Sequence, residues 1–282
     1  MMGDLWAAIA VMTALSAGIF LLCRRAASGL TGRQRTGSIA FLLFMVIAFL
    51  VYARDCLLAA LLLPWSNVMV YADWTPLFAA AMAGCAWYSV GEAPWQRALW
   101  LGPLALMALW LSFGHLFEGP PACRDRWDEG ICRQTSPVTC AAAAAATLLR
   151  HRGIEATESE MARLCLTGKR GTLRLGVYRG LVLKTARTPW KIEIFYGNGK
   201  RLREAGSDPS LLFLGLRRGQ RADPLYSREW GWTPGLQHSV VLFGFFGENR
   251  IEVGDPSYGM EQWSDEALDT LWDGVALRLV RR

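Results

Sequence analysis

The chain has 282 residues, a net charge of +6 and 52% hydrophobic residues, a length that accommodates one to two domains. Its Lys and Arg are scattered among acids with no long basic run, which argues against a nucleic-acid partner, since that needs a concentrated patch. A mildly basic surface still suits anionic lipid heads or acidic peptides.

The apolar content is uneven. Residues 5–117 are dominated by Leu, Ala, Ile, Phe, Met and Trp, and from 119 onward the composition is that of an ordinary soluble domain. This predicts a membrane region over 1–118 and a second domain over 119–282. A span needs about 20 apolar residues. Leu5–Leu22, Ile39–Ala53, Leu77–Val90 and Ala98–Phe117 therefore read as about four transmembrane helices. Leu57–Tyr71, broken by Pro64, reads as a segment lying along or dipping into the membrane. Arg54 and Asp55 belong at an interface, because a charge at mid-bilayer costs about 2.5–3.5 kcal/mol or more. Trp65, Tyr71, Trp74, Trp87, Trp95 and Trp100 suit interfacial belts.

No basic residue precedes Leu5–Leu22, and Arg24 and Arg25 follow it. That order predicts an uncleaved anchor rather than a signal peptide. Arg24, Arg25, Arg33 and Arg35 lie between the first two spans, so that loop should be cytoplasmic. With four spans the chain starts and ends outside. The expectation is an integral protein of a bacterial inner membrane, in contact with membrane lipid, with its C-terminal domain extracytoplasmic (periplasmic). An odd span count reverses this.

In the second half, Thr139–His151 reads as a helix, with Ala141–Ala146 as strong helix formers and Gly153 as a stop. Thr157–Glu160 has capping-box spacing and starts a second helix running to about Leu166. Leu173–Thr185 is a third candidate. Then the pattern changes. Trp190–Tyr196, Leu211–Arg217, Ser239–Phe246, Ile251–Val253 and Val275–Val280 read as strands between Gly, Asn and Asp turns. Helices first and strands later predict an α+β domain, its helical part packed on an antiparallel sheet.

Of the seven cysteines, Cys23, Cys56 and Cys85 fall in or beside spans and read as packing residues. Cys123 and Cys132 share a polar loop and form a disulfide candidate in an oxidising compartment. A zinc pair is disfavoured there, without a C-x-x-C or a nearby His. Cys165 reads as core. Cys140 stands where the loop Gln134–Thr139 becomes a helix. A thiol at a helix N-terminus feels the positive end of the macrodipole, which favours the nucleophilic thiolate; the competing reading is a small residue starting an Ala helix.

There are three histidines. His115 falls in the last predicted span, and His151 at a helix end, where a cation meets the negative dipole terminus. His238 opens His238-Ser-Val-Val-Leu-Phe-Gly244 and is the available base for Cys140. Asp255, in Gly254-Asp255-Pro256, is placed to accept a bond from His238 and fix its tautomer; a turn Asp before Pro is the alternative.

The ordered set is Gln134-x5-Cys140, an apolar helix ending near Gly153, His238-x-Val-Val-Leu-x-Gly244, Asp255-Pro256-x-x-Gly259, then Trp272 and Gly274 before a closing strand. Over about residues 130–282 it resembles the bacteriocin-processing, double-glycine leader peptidase family of papain-like cysteine peptidases. The resemblance implies Cys140 as nucleophile, His238 as base and acid, Asp255 as orienter, and Gln134 as an oxyanion donor beside the Cys140 backbone N–H. It departs at the flanks of the cysteine, where the family usually has Asp and Gly and this chain has Thr139 and Ala141. Family members are often fused to an ATP-driven exporter. This sequence has no Walker A motif, so any exporter partner would be separate.

The reading is a membrane-anchored cysteine peptidase acting on a peptide or protein substrate through a Cys140 thioester, in the processing of an exported peptide. A cleft between helices and sheet would hold extended substrate, with Trp230, Trp232 and Trp263 as candidate lining. No cofactor and no metal are expected, with no H-E-x-x-H and no paired C-x-x-C. Two alternatives are a different thiol acyl transfer or amide hydrolysis on the same scaffold, and an inactive peptide-binding module.

Overall fold

The structure is a computed structural model, and it describes residues 3–206, 208–216, 226–227, 232–247 and 249–282. It divides into two units, Met1–Glu118 and Gly119–Arg282.

The first unit is helical: α1 (Gly3–Ala27), α2 (Gly32–Tyr52), α3 (Leu58–Leu62), α4 (Val68–Tyr71), α5 (Thr75–Ala86) and α6 (Pro94–Phe113), closed by a 3₁₀ turn over Gly114–Phe117. Thr31 starts α2 with a reciprocal cap. Its backbone N–H donates to Gln34 Oε1 at 2.9 Å, and its hydroxyl accepts from Gln34 N at 3.4 Å. Pro64 splits the segment before α5 into the short α3 and α4, since proline cannot continue a helix. Gly84 lets α5 lie against α1, because a Cβ there would sit 2.7 Å from Phe20 O.

Among the described residues three helices are long and apolar enough to cross a membrane: Gly3–Ala27, Gly32–Tyr52 and, counted through α4 and α5, Val68–Ala86. They suggest membrane association. The fourth expected span, Ala98–Phe117, is helical but is not among them; α6 carries Gln96 and Arg97 in its first turn and Pro103 within it. Large apolar side chains point outward along the unit, with Leu22 69%, Phe44 65% and Leu106 69% exposed. Such a surface is far from that of a protein in water.

The two ends of this helical unit differ. At one end Ser66 donates to Asp4 Oδ2 at 2.7 Å, Arg54 lies 3.8 Å from Asp73 and donates to Leu111 O at 2.8 Å, and Trp6 meets Phe117. At the other, Arg24 and Arg97 stack over Trp87 at 4.7 and 5.4 Å, and Arg35 over Tyr88 at 5.3 Å. The start of α1 and the end of α6 therefore share one end, and the arginine-rich connections share the other.

The second unit is α+β. A hairpin of β1 (Arg126–Asp128) and β2 (Ile131–Arg133) leads into α7 (Cys140–His151), α8 (Glu158–Leu164) and α9 (Arg174–Thr185). Then come β3 (Trp190–Tyr196), α10 (Gly199–Glu204), β4 (Ser210–Gly215), β5 (Gln237–Phe245), β6 (Ile251–Asp255), β7 (Gly259–Trp263), α11 (Asp265–Leu271) and β8 (Trp272–Arg281). The large sheet is antiparallel throughout, in the order β3-β8-β4-β5-β6-β7. Leu212 and Leu214 of β4, Val240 and Leu242 of β5 and Val253 of β6 join Leu268 and Leu271 of α11 in one core, the period-two pattern of a strand with one face on that core. On α7, Ala141–Ala146 are all buried. Small side chains there bring the helix close to the sheet, and His151 at its end meets Phe243 of β5 at 5.6 Å.

The structure corrects several expectations. β5 begins at Gln237, so His238 is inside the strand, and β6 runs on to include Asp255. The strand over Leu211–Arg217 is β4, with Arg217 outside the described residues. The β1–β2 hairpin, β7, α10 and α11 were not anticipated. Cys123 and Cys132 are free thiols, with no disulfide between them. Burial raises both, Cys123 to about 11 and Cys132 to about 12, and nearby Glu158 and Asp125 add to this. Cys165 is core as expected. Burial raises its thiol to about 12, and a Cβ on Gly180 would lie 2.3 Å from its sulfur. Partial burial, then the neighbouring Arg152, lowers the pKa of His151.

Candidate active site

The loop before α7 is held from below by a buried carboxylate. Glu158, fully buried at the start of α8, accepts from Thr135 N and Thr135 Oγ1, both at 2.7 Å, and from Thr139 Oγ1 at 2.6 Å. Thr139 Oγ1 also lies 2.9 Å from Ser136 O. Its hydroxyl is thus engaged away from the helix, and α7 begins without a side-chain cap. The first N–H groups of α7, starting at Cys140, are left to face other acceptors.

Gln134 begins the same loop. Its backbone N–H donates to Pro256 O at 2.9 Å, and its side-chain Nε2 donates to Ser136 O at 3.3 Å. Its Oε1 is buried without a partner among the described residues. Arg133, one residue earlier, donates to Ser257 O. The last residue of β2 and the first residue of the Cys140 loop therefore grip the turn that follows Asp255.

Asp255 ends β6 and is 2% exposed. Its Oδ1 accepts from Ser257 N at 2.6 Å and Tyr258 N at 3.3 Å, and its Oδ2 lies 2.9 Å from His238 Nε2. That leaves the other ring nitrogen of His238 to Cys140. Burial would lower the imidazole, but hydrogen bonds to Asp255 and Cys140, together with their charges, outweigh it and raise the pKa to about 10. Trp232 stands edge-on to His238 at 5.8 Å and to Trp263 at 6.2 Å. Its ring packs against the His238 imidazole on that side.

Gln134, Cys140, His238 and Asp255 all line one cavity of about 700 Å³, and Trp232 and Trp263 line it too. Trp230 lies outside the described residues. Among the described residues no group of three or more His, Cys, Asp and Glu has the arrangement of a metal site.

Sequence reasoning missed Glu158 and Arg133. Glu158 looked like the second residue of a capping box, and only Thr157 caps as expected, accepting from Glu160 N at 3.2 Å. Nothing local announced that the neighbouring Glu158 would turn back under residues 135 and 139.

In a comparison with solved structures, the chain is similar to the peptidase domain of Streptococcus ComA, a bi-functional ABC transporter involved in a quorum sensing pathway (20% identity, TM-score 0.42, 54% of this chain and 98% of that one). It is also similar to a double glycine motif protease from an AMS/PCAT transporter in complex with the leader peptide (17% identity, TM-score 0.42, 58% and 97%). A third is the peptidase domain of Streptococcus mutans ComA (21% identity, TM-score 0.37, 54% and 98%). No protein-family model matches the chain, and no curated protein matches it.

Proposed function

We propose that the C-terminal unit is a papain-like cysteine peptidase of the double-glycine leader peptidase kind, anchored to a membrane by the N-terminal unit. The observation that carries this reading is that Cys140 and His238 line one cavity with Asp255, whose carboxylate lies 2.9 Å from His238 Nε2. The Cys140 thiolate attacks the peptide carbonyl carbon and forms a tetrahedral oxyanion. The His238 imidazolium gives its proton to the leaving amine, and the thioester forms. Water, deprotonated by His238, then attacks the thioester and releases the acid. Asp255 holds the ring and its charge throughout.

Two donors serve the oxyanion. One is the Cys140 N–H at the uncapped start of α7. The other is Gln134, whose side-chain amide carries two N–H groups and uses one on Ser136 O. A donor of this kind is worth about 2.7–4 kcal/mol.

The substrate is a peptide or protein segment, and processing of an exported peptide is the biological role. The arginine-rich end of the helical unit faces the cytoplasm by the positive-inside rule. The opposite end holds both the start of α1 and the end of α6, so α6 counts as a fourth crossing beside the three more apolar helices, and the C-terminal unit emerges on the outer side.

The test is labelling of intact cells with a membrane-impermeant, thiol-reactive peptide electrophile, followed by mapping of the modified cysteine. The expected result is label on Cys140, lost in His238→Ala. Label appearing only after lysis would keep the enzyme and reverse the orientation. A folded protein whose Cys140 takes no label in either state would sink the peptidase.

A further inference from the structure

The helical unit holds a cavity of its own. It has a volume of about 360 Å³ and lies between α1, α5 and α6. Small side chains form most of its wall: Ala17 of α1, Ala79, Ala80 and Ala83 of α5, and Gly102 and Ala105 of α6. Ala17 and Ala105 are exposed, so the cavity opens sideways as a groove. Ser16 also lines it, and its hydroxyl donates back to Met12 O at 2.8 Å. The wall is therefore apolar and suits a hydrocarbon chain. From Arg97 to Leu109, both in the wall, α6 rises about 18 Å at 1.5 Å per residue. One leaflet has a similar depth, half of a hydrocarbon core about 30 Å thick. An α-helix of that length, about 10 Å across, fills roughly 1,300 Å³. The groove is too narrow for one and takes a single chain instead.

One end of the groove is cationic. Trp87 and Arg97 line it there. Arg24 and Arg97 both lie over the Trp87 ring, at 4.7 and 5.4 Å, and Arg97 and Arg35 both lie over Tyr88, at 5.9 and 5.3 Å. Among the described residues none of the three arginines is ion-paired with a carboxylate. Arg97 donates Nε to Gly91 O at 3.2 Å, which leaves its terminal nitrogens for another acceptor. Trp87 Nε1 is buried and has no hydrogen-bond partner among the described residues. Like charges gathered round one indole, with an unmet donor among them, are stabilised by an anion that brings several acceptor oxygens. A guanidinium binds phosphate by two parallel hydrogen bonds.

We infer that this groove binds an anionic phospholipid, with one acyl chain along α5 and α6 and the phosphate at Arg24, Arg97 and Trp87. The inference rests on the reading of the helical unit as a membrane anchor and not on the peptidase chemistry.

The experiment uses the full chain, freed of lipid in a mild detergent. Native mass spectrometry reads the first lipid bound when dioleoyl phosphatidylglycerol, or phosphatidylcholine with the same chains, is added. Phosphatidylglycerol should bind about tenfold more tightly, equivalent to about 1.4 kcal/mol. Changing Arg24→Gln and Arg97→Gln together should bring the ratio near one. Gly102→Leu probes the other end of the lipid. A Cβ on Gly102 meets nothing within 4 Å, so the new side chain enters open space, and Leu is the better helix former. This variant should keep its helical circular dichroism and lose about tenfold in affinity for both lipids. Equal affinities in the native protein, a preference that survives the paired arginine change, or binding that ignores Gly102→Leu each overturn the inference. A dimer mass that Gly102→Leu splits assigns the groove to a second copy and overturns it too. Flotation with vesicles of the two lipids reads the anchor separately. Protein that floats without the preference overturns this inference alone, and protein that does not float overturns the membrane reading with it.

Discussion

Glu158 Oε1 accepts a 2.6 Å hydrogen bond from the hydroxyl of Thr139, the residue immediately before Cys140. The same carboxylate holds Thr135 by two further bonds, so one fully buried side chain fixes both ends of the loop between Gln134 and Cys140. Hydrogen bonds to a charged group contribute about 1.5–3 kcal/mol each. Thr139→Val should therefore lower stability by about 1.5–3 kcal/mol in urea unfolding. Glu158→Gln, which exchanges an acceptor oxygen for a donor, should reduce kcat more than it raises KM. A purely structural role would leave kcat per folded molecule unchanged in both variants.

The pH dependence follows from His238. Its pKa is raised to about 10, above the ordinary value near 6.5, so its bonds to Asp255 and Cys140 contribute stability that is full below about 6.5 and lost as pH rises through about 10. Activity should fall on the same alkaline limb, where the proton for the leaving amine is gone. Asp255→Asn removes one of the charges that raise the ring, so the limb should move to lower pH. Rate profiles of the native protein and this variant across pH 6–11 check the sign. An unmoved limb would detach Asp255 from the ring.

Gly259 has φ +105°, and a Cβ there would sit 2.5 Å from Arg133 Nη1. Gly259→Ala should displace the guanidinium from Ser257 O and loosen the turn that holds Asp255. The cost of an L-residue in this backbone region is about 1–3 kcal/mol. Thermal unfolding measures that loss. The rate at which a thiol-reactive peptide electrophile labels Cys140 should drop in the same variant, and an unchanged rate would show that the turn does not position Asp255.

The orientation is checked by single reporter cysteines in a background with the native cysteines replaced. Ser28→Cys lies at the arginine-rich end of the helical unit, and Gly119→Cys follows the other end. An impermeant maleimide on intact cells should label the second and reach the first only after permeabilisation. The reverse pattern would turn the C-terminal unit to the cytoplasm.

The sequence by itself determined the broad plan. Apolar runs such as Leu5–Leu22 carry their length and composition without help from the rest of the chain, and the run Ala141–Ala146 and the period-two strands around Val240 do the same. Placement in the predicted elements also brought forward Cys140, His238 and Asp255, and the family resemblance added Gln134. Tertiary structure decided the rest. Asp255 reads locally as a turn residue before Pro256, and only pairing of β6 with β5 brings it 2.9 Å from His238. Glu158 reads as a helix start, and Glu261 as a polar residue on a short stretch that gave no strand signal. The partner of Glu158 lies 19 residues away, and Glu261 reaches the cavity of Cys140 only through the pairing of β7 with β6. Local patterning reports which face of an element is apolar, whereas the meeting of two distant polar groups depends on register and on the packing of α7 and α8, which no local window contains.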